Sequence, residues 1–146
     1  RRLAAAPAEP AHYDEQETYL TSEISTRLQV IARQHRITLN IIIQGAWALL
    51  LSRYSGEDDV MFGATVSGRP AELPGVETMV GLFINTLPVR VQLSAEQELI
   101  SWLQALQTQQ VEMRQFEHSP LVQIQEWSDA PAGTPLFESI FVFENY

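Results

Sequence analysis

The sequence predicts a mixed α+β domain, a sandwich in which a sheet is packed by long helices. Two strand patterns and two helix patterns support this prediction. Residues 58–66 form a nearly continuous apolar run, typical of a strand covered on both faces, and residues 86–93 alternate apolar and polar side chains. The helix patterns are a run at 39–54 that is apolar almost all round and a helically spaced apolar stripe within 94–117.

The composition of the chain narrows the classes of function that it can have. Its 146 residues, 45% of them hydrophobic, are enough for one domain with a core. Eighteen acidic residues against nine basic ones, all arginine, give a net charge of -9, which argues against a nucleic-acid partner. The absence of cysteine rules out disulfides and thiolate metal ligands, and it fits a reducing, cytoplasmic location.

No segment of the sequence predicts a membrane span or a signal peptide. The most apolar run, 39–51, is interrupted by Asn40 and Gln44 and is shorter than the roughly 18 apolar residues that a membrane-spanning helix needs. The first residues lack the apolar core of a signal peptide. We therefore expect no membrane partner.

The predicted elements follow the order strand, two helices, two strands, two helices, strand. Their residues are 12–20, 23–35, 39–54, 58–66, 86–93, 94–117, 120–127 and 137–146. Residues 1–11 are rich in Ala and Pro and predict a linker, and loops are expected at 67–76 and 129–135, where Gly and Pro are frequent.

Local signals predict where the helices begin and end. Ser22 and Thr38 are the expected N-caps of the first two helices, and Gly56 is the expected end of the second. Ser94 and Gln97 predict a capping box at the start of the third helix.

Two further residues predict how the elements pack. Gly45, in the apolar second helix, indicates close approach of a neighbouring element in a helix that should be buried on most sides. Pro88 cannot donate a ladder hydrogen bond, so it places the strand 86–93 at a sheet edge or a strand start.

Two polar residues beside the strands are candidates for a site. Asn85 lies in the otherwise apolar stretch 80–90, and a buried asparagine must be hydrogen-bonded, so we expect it to fix the backbone or line a cavity. Arg69 follows the buried strand in a loop and offers five donors, with a surface salt bridge as the equally weighted alternative. The residues alone predict a polar cavity between Ser67 and Asn85 and do not define a reaction.

The histidines and the acidic pair favour structural roles. His12, His35 and His118 are not spaced as metal ligands, so no metal site is expected. His35 suits a helix C-terminus, and His118 beside a serine is a weak candidate for a catalytic base. Asp58 and Asp59 predict a solvated turn before a strand.

Four segments resemble the condensation domains of nonribosomal peptide synthetases. The first is RYSGEDDVMFGATVSGRP, and the next, VGLFINTLPVR, is similar to the family's G-x-F-V-N-T…R motif. The third is FEHSPL, where Ser119 and Leu121 depart from a His-Gln-Asp-x-Pro-Phe-like element. The fourth is PLFESIFVFEN, which resembles the late N-P-L-F…F…N element. The motifs occur in the family's order, and the likeness extends from Tyr13 onward.

The resemblance is to the C-terminal half of such a domain. It implies that residues 12–146 form the second lobe of a two-lobed fold similar to chloramphenicol acetyltransferase. The family's catalytic motif, H-H-x-x-x-D-G, belongs to the N-terminal lobe, and this sequence has no His-His pair. The resemblance therefore implies a fragment of an amide-forming enzyme that holds no catalytic residue and is inactive alone.

The resemblance also implies supporting roles for residues of this lobe. Arg69 would pair with the aspartate of the catalytic motif, Ser67 would lie near the missing histidine, and Asn85 would hold backbone on the tunnel side. The segment 67–81 would form the floor of the substrate tunnel, and 127–137 would help to bridge the lobes. The remaining floor-loop and tunnel residues are Gly68, Pro70, Gly81 and Phe83.

The same likeness implies partners and no directly bound cofactor. Phosphopantetheine would arrive on carrier proteins, upstream and downstream of the domain. The other expected partners are the N-terminal lobe and an adjacent adenylation domain. The alternative is a lobe that docks a carrier protein or a neighbouring domain without chemistry, and a free-standing enzyme that uses His118 is a third possibility.

Overall fold

The computed structural model describes residues 13–69, 73–131 and 133–144 as helices packed on a three-stranded sheet, which confirms the predicted class. The helices are α1 (Ser22–His35), α2 (Leu39–Ser55), α3 (Leu99–Met113) and α4 (Leu121–Trp127). The strands are β1 (Asp59–Val66), β2 (Asn85–Gln92) and β3 (Ile140–Phe141). Short 3₁₀ turns occupy Val76–Thr78 and Arg114–Phe116.

The sheet has the strand order β2-β1-β3, with β1 in the middle. β1 pairs antiparallel with β2, from Asp59 opposite Gln92 to Val66 opposite Asn85, and parallel with β3 over two residues. β2 has a ladder partner on one side, so the position predicted for Pro88 at a sheet edge is confirmed.

One face of the sheet packs against α2 and α3 and forms the core. The buried core residues are Ile37, Ile41, Ala48, Val60, Phe62, Ala64, Val89, Val91, Trp102, Leu103 and Leu106. A Cβ added to Gly45 would lie 2.5 Å from Cδ2 of Leu103, which confirms that glycine lets α2 approach α3 closely. On the opposite face, the ring of Phe137 lies against Gly63, so β1 is covered on both sides there.

The ends of α1 and α2 follow the predicted chemistry with one correction. The hydroxyl of Thr38 accepts a hydrogen bond from the first turn of α2, and Gly56 ends that helix with a φ of 77°. The cap of α1 is Thr21 and not Ser22, because it is the Thr21 hydroxyl that accepts from the backbone N–H of Ile24 at 3.3 Å.

The predicted capping box at the start of α3 is wrong. Ser94 closes a local turn, in which its carbonyl accepts from the N–H of Gln97, and the helix begins at Leu99. The indole N–H of Trp102 donates to the carbonyl of the last β2 residue at 3.1 Å, which fixes the start of α3 beside the end of that strand. Phe116 lies beyond α3 in a 3₁₀ turn with a different spacing, so it is exposed and leaves the predicted stripe.

Both predicted terminal strands need correction. Residues 13–20 are exposed and have no regular structure, since they pair with none of the described strands, and residues 1–12 lie outside the described residues. Of the predicted strand 137–146, residues 137–144 are described, and among them only Ile140–Phe141 pair with β1, while Phe137 packs its ring on the sheet face before the ladder begins.

The outer sides of the helices are less buried than the sequence predicts. Leu49 and Leu50 of α2 and Ile24 and Ile31 of α1 are exposed, because the core contacts each helix along one side. Within the described ranges, no helix has both the length and the apolar character that crossing a membrane requires.

An ion pair joins the outer ends of β1 and β2. Nε and Nη2 of Arg90 donate to both carboxylate oxygens of Asp59 at 2.5–3.1 Å, and Gln92 adds a hydrogen bond at 3.3 Å. These contacts lower the pKa of Asp59 from 3.8 to about 2. The predicted turn before the strand is therefore right for Asp58, whereas Asp59 belongs to the ladder.

We predict that this pair makes stability depend on pH in a narrow acidic window. A carboxyl group whose pKa is lower in the folded state contributes stability above its unfolded pKa and loses it as the pH falls through the folded pKa. The free energy of unfolding should therefore fall between pH 3.8 and about 2. In urea titrations, Asp59→Asn should flatten that fall and Asp58→Asn, at the exposed neighbour, should not. Equal slopes for both variants would contradict the assignment.

Candidate functional site

The side chain of Arg69 folds back onto the segment 76–83 that precedes β2. Its Nη1 donates to the backbone carbonyl of Val76 and, at 3.2 Å, to that of Met79. Its guanidinium carbon lies 4.2 Å from the centre of the Phe83 ring, a cation–π distance. The salt bridges found among the described residues do not include Arg69, so its contacts there are with carbonyls and a ring.

Gly68 explains why this arrangement needs a glycine. Its φ is 63°, and a Cβ at this position would lie 1.8 Å from the carbonyl oxygen of Phe83. The chain after β1 therefore crosses in direct contact with the backbone before β2. Gly81 is exposed and lies beside the same ring, where a Cβ would be 3.3 Å from a ring carbon of Phe83.

The four residues Gly68, Arg69, Gly81 and Phe83 thus form one cluster, which we call the β1-end cluster. The sequence placed them in two separate motifs, and the structure brings these motifs into contact. Pro70, the remaining predicted floor-loop residue, lies outside the described residues.

The side chain of Asn85 binds the backbone of the turn between α3 and α4. Its amide Nδ2 donates to the carbonyls of Glu117 and Ser119 at 2.9 and 2.8 Å, and its Oδ1 accepts from the N–H of Thr86. The side chain is half-buried and hydrogen-bonded at both ends, as expected for an asparagine in an apolar stretch. It fastens the turn between α3 and α4 to the start of β2.

Ser67 lines a polar groove, and its hydroxyl also accepts a hydrogen bond at 3.5 Å from the backbone N–H of Arg69 in the β1-end cluster. The groove has a volume of about 440 Å³ and lies between the start of α2, the end of β1 and the end of α3. Its polar lining includes Thr38, Asn40, Gln44, Thr65, Gln110 and Glu117. Glu117 lines the groove, and its backbone carbonyl accepts from the side chain of Asn85. The predicted site residues therefore occupy two adjacent regions.

Gln44 is a groove residue that sequence reasoning missed. Its side chain is 2% exposed, and its Nε2 donates to Oδ1 of Asn40 at 3.1 Å. Its Oε1 is buried without a hydrogen-bond partner among the described residues. The signal in the sequence was an amide inside an otherwise apolar helix, which we interpreted only as an argument against a membrane span.

His35 and His118 take no part in these contacts. His118 is exposed, His35 lies in the last turn of α1, and His12 lies outside the described residues. The described part of the chain holds no group of three or more His, Cys, Asp or Glu side chains placed to bind a metal ion.

Comparison with known proteins gives a consistent family match. The model of the family described as Condensation domain matches residues 3–146. One of the linear gramicidin synthase polypeptides of Brevibacillus parabrevis is 65% identical over 133 residues, which are 91% of this chain and 3% of that protein. Chondramide synthase of Chondromyces crocatus is 54% identical over 127 residues, which are 87% of this chain and 3% of that protein.

Solved structures show the same likeness. The starter condensation domain of rhizomide synthetase superposes with a TM-score of 0.59 at 28% identity, over 71% of this chain and 23% of that one. A four-domain nonribosomal peptide synthetase bound to AMP and glycine gives a TM-score of 0.72 over 85% of this chain and 10% of that one, at 22% identity, which supports the fold alone. The chain thus spans a small part of each relative that it matches.

We predict that Gly68→Ala disturbs the crossing of the two backbones. A left-handed conformation costs a non-glycine residue about 1–2 kcal/mol, and the overlap with the Phe83 carbonyl adds about 1–3 kcal/mol, so the loss should be about 2–5 kcal/mol. The matched control is Gly56→Ala, where φ is 77° and an added Cβ meets nothing within 4 Å. In urea unfolding, equal losses for the two variants would show that the crossing imposes no extra constraint.

We predict that Asn85→Asp destabilises the protein by about 2–3 kcal/mol at neutral pH, because a carboxylate cannot donate to the two carbonyls that it would face. Asn40→Asp is the control. Asn40 accepts from Gln44 and lies in the first turn of α2, where a carboxylate keeps the acceptor and suits the helix dipole. Equilibrium unfolding of both variants checks the prediction, and an equal effect at the two positions would contradict it.

Proposed function

The chain belongs to the condensation-domain family, and on this premise we propose that residues 12–146 form the second lobe of a domain that makes amide bonds in nonribosomal peptide synthesis. One observation carries the proposal. The two family motifs, 53–70 and 80–90, meet in the β1-end cluster, where Gly68 touches the backbone of Phe83 and Arg69 covers its ring. The 65% identity to a gramicidin synthase polypeptide over 91% of the chain supports the same conclusion.

The proposed reaction joins two acyl groups that carrier proteins hold as thioesters of phosphopantetheine. The acceptor amine attacks the carbonyl carbon of the donor thioester, so that a carbon–nitrogen bond forms and the carbon–sulfur bond breaks. The nitrogen loses a proton, and the departing thiol gains one. This chain would contribute no proton-transferring side chain, because the family's catalytic motif lies in the other lobe.

The contribution of this lobe would be to position and enclose the reactants. Holding two reactants in register and excluding water lowers the barrier to amide formation substantially. Ser67 lines a polar groove large enough for part of a substrate arm. Arg69 holds the backbone segment before β2, and Asn85 holds the turn between α3 and α4. We therefore propose supporting roles for all three residues and a catalytic role for none.

The exposed apolar side chains next to the cluster support a covering partner. Val80 is fully exposed and Leu82 is 90% exposed, although both precede the hydrophobic strand β2. We propose that the N-terminal lobe of the same domain covers this surface. The proposed further partners are the upstream and downstream carrier proteins and an adjacent adenylation domain, all in the cytoplasm.

The proposal is tested in the intact synthetase that contains this chain. Donor and acceptor carriers are loaded with their amino acids, and the dipeptidyl product on the acceptor carrier is followed by mass spectrometry. The natural protein should form the peptide bond. Arg69→Ala should slow it by about 10²-fold, the scale of a 1 Å misplacement of reacting groups, while carrier loading is unchanged.

Arg53→Ala, at an exposed position near the end of α2, is the control and should leave the rate unchanged. Loaded carriers that bind the natural protein without forming product would instead support the non-catalytic docking module. A normal rate in Arg69→Ala would refute the supporting role of Arg69 while leaving the family function intact.

A further inference from the structure

We propose that Arg69 is a positioning residue that sets the conformation of the segment 76–83, and that it acts through this segment and not through its charge alone. The proposal deepens the proposed function and rests on it for the link to condensation. The clamp itself can be tested without any assay of activity.

The segment has few contacts of its own that would fix its path. Its first turn is held by hydrogen bonds from the N–H of Thr78 to Gly75 and from that of Met79 to Val76. From 80 to 83, no backbone hydrogen bond to the described residues is present. An extended stretch without ladder partners samples many conformations unless side chains restrain it.

Arg69 supplies restraints at both ends of this stretch. Nη1 reaches the carbonyls of Val76 and Met79, and the face of the guanidinium covers the ring of Phe83. The two carbonyls lie before the stretch 80–83 and the ring belongs to its last residue, so one planar group contacts the segment at both ends. Gly68, the preceding residue, touches the Phe83 carbonyl, so two consecutive residues hold the same position.

Only an arginine has the geometry for this clamp. A guanidinium offers two N–H groups from one nitrogen and a flat face that stacks on an aromatic ring, whereas a lysine ammonium is a compact point charge. The guanidinium of Arg69 has five N–H groups. Two of them are on Nη1, so three remain for an acceptor outside the described residues. The same side chain can therefore order the segment and pair with a carboxylate of a covering lobe at once.

The consequence concerns Val80 and Leu82. Both side chains point into solvent from the bracketed stretch, so the clamp determines how this apolar pair is presented. A loosened segment would weaken the fit of the covering lobe even if the charge at position 69 were kept. Substitutions can therefore separate the effect of the positive charge at position 69 from the effect of an ordered segment 76–83.

The test uses Arg69→Lys, which keeps the charge, and Phe83→Leu, which removes the ring and leaves position 69 unchanged. Both are made in the intact synthetase and followed by amide hydrogen exchange and by the rate of peptide-bond formation. Loss of the clamp should speed exchange of the hydrogen-bonded amides of Thr78 and Met79 by about fivefold or more in both variants, the scale of one lost cation–π contact or hydrogen bond. The rate should fall in both, and Phe83→Tyr, which keeps the stacking face, should retain slow exchange.

Two controls keep the outcome decisive. Exchange in the β1–β2 ladder should stay unchanged, which excludes general unfolding, and Arg53→Lys should alter neither readout. Unchanged exchange of the Thr78 and Met79 amides in Arg69→Lys or in Phe83→Leu would overturn the clamp. Faster exchange with an unchanged rate would overturn its role in condensation. If the natural protein formed no peptide bond, the proposed function would fail while the exchange results still decided the clamp.

Discussion

The antiparallel register of β1 with β2 is the constraint on which the rest of the structure depends. Because Val66 pairs with Asn85, the last residue of one strand lies beside the first residue of the next. The chain that leaves β1 and the chain that enters β2 must then pass each other immediately beyond the ladder. Gly68 permits that passage at contact distance. The core beneath the strands keeps the register from slipping, since a shift by one residue would place Phe62 and Val89 on opposite faces of the sheet.

Side-chain donors that bind backbone carbonyls hold the irregular segments around this crossing. Arg69 does so for the stretch before β2, and Asn85 does so for the turn between α3 and α4. A loop without ladder partners leaves its carbonyls to solvent or to side chains, and a side chain that binds two of them restrains the loop at the cost of ordering one residue. The two residues therefore restrain irregular backbone segments, which agrees with the supporting roles proposed for them.

Two large apolar side chains beside the crossing are exposed to solvent. Val80 and Leu82 are presented to solvent by a stretch that the scaffold holds in place, and the polar groove at Ser67 opens nearby. Under the proposed function, this surface is where the other lobe of the domain closes over the reactants. The exposed apolar pair and the family match both support that proposal.

The sequence by itself determined the elements whose signals are local or strictly periodic. The caps of α2, the edge position of Pro88, the close approach at Gly45 and the buried face of β2 all follow from short-range chemistry, and the motifs identified the family. Tertiary structure decided what depends on partners distant in the chain. Residues 13–20 of the strand predicted at 12–20 have no regular structure, and the described residues of the strand predicted at 137–146 pair with β1 at Ile140–Phe141 alone. The start of α3 is set by a bond from Trp102 to the end of β2.

The site divides in the same way. Its residue types were visible in the sequence, but the contact between Arg69 and Phe83, fourteen positions apart, exists only because the strand register brings the two motifs together. The amide oxygen of Gln44 is buried without a hydrogen-bond partner among the described residues, and this too follows from the packing of separate elements and not from the local sequence. Periodicity and capping depend on neighbours within one turn or one pleat, whereas these contacts depend on how separate elements pack.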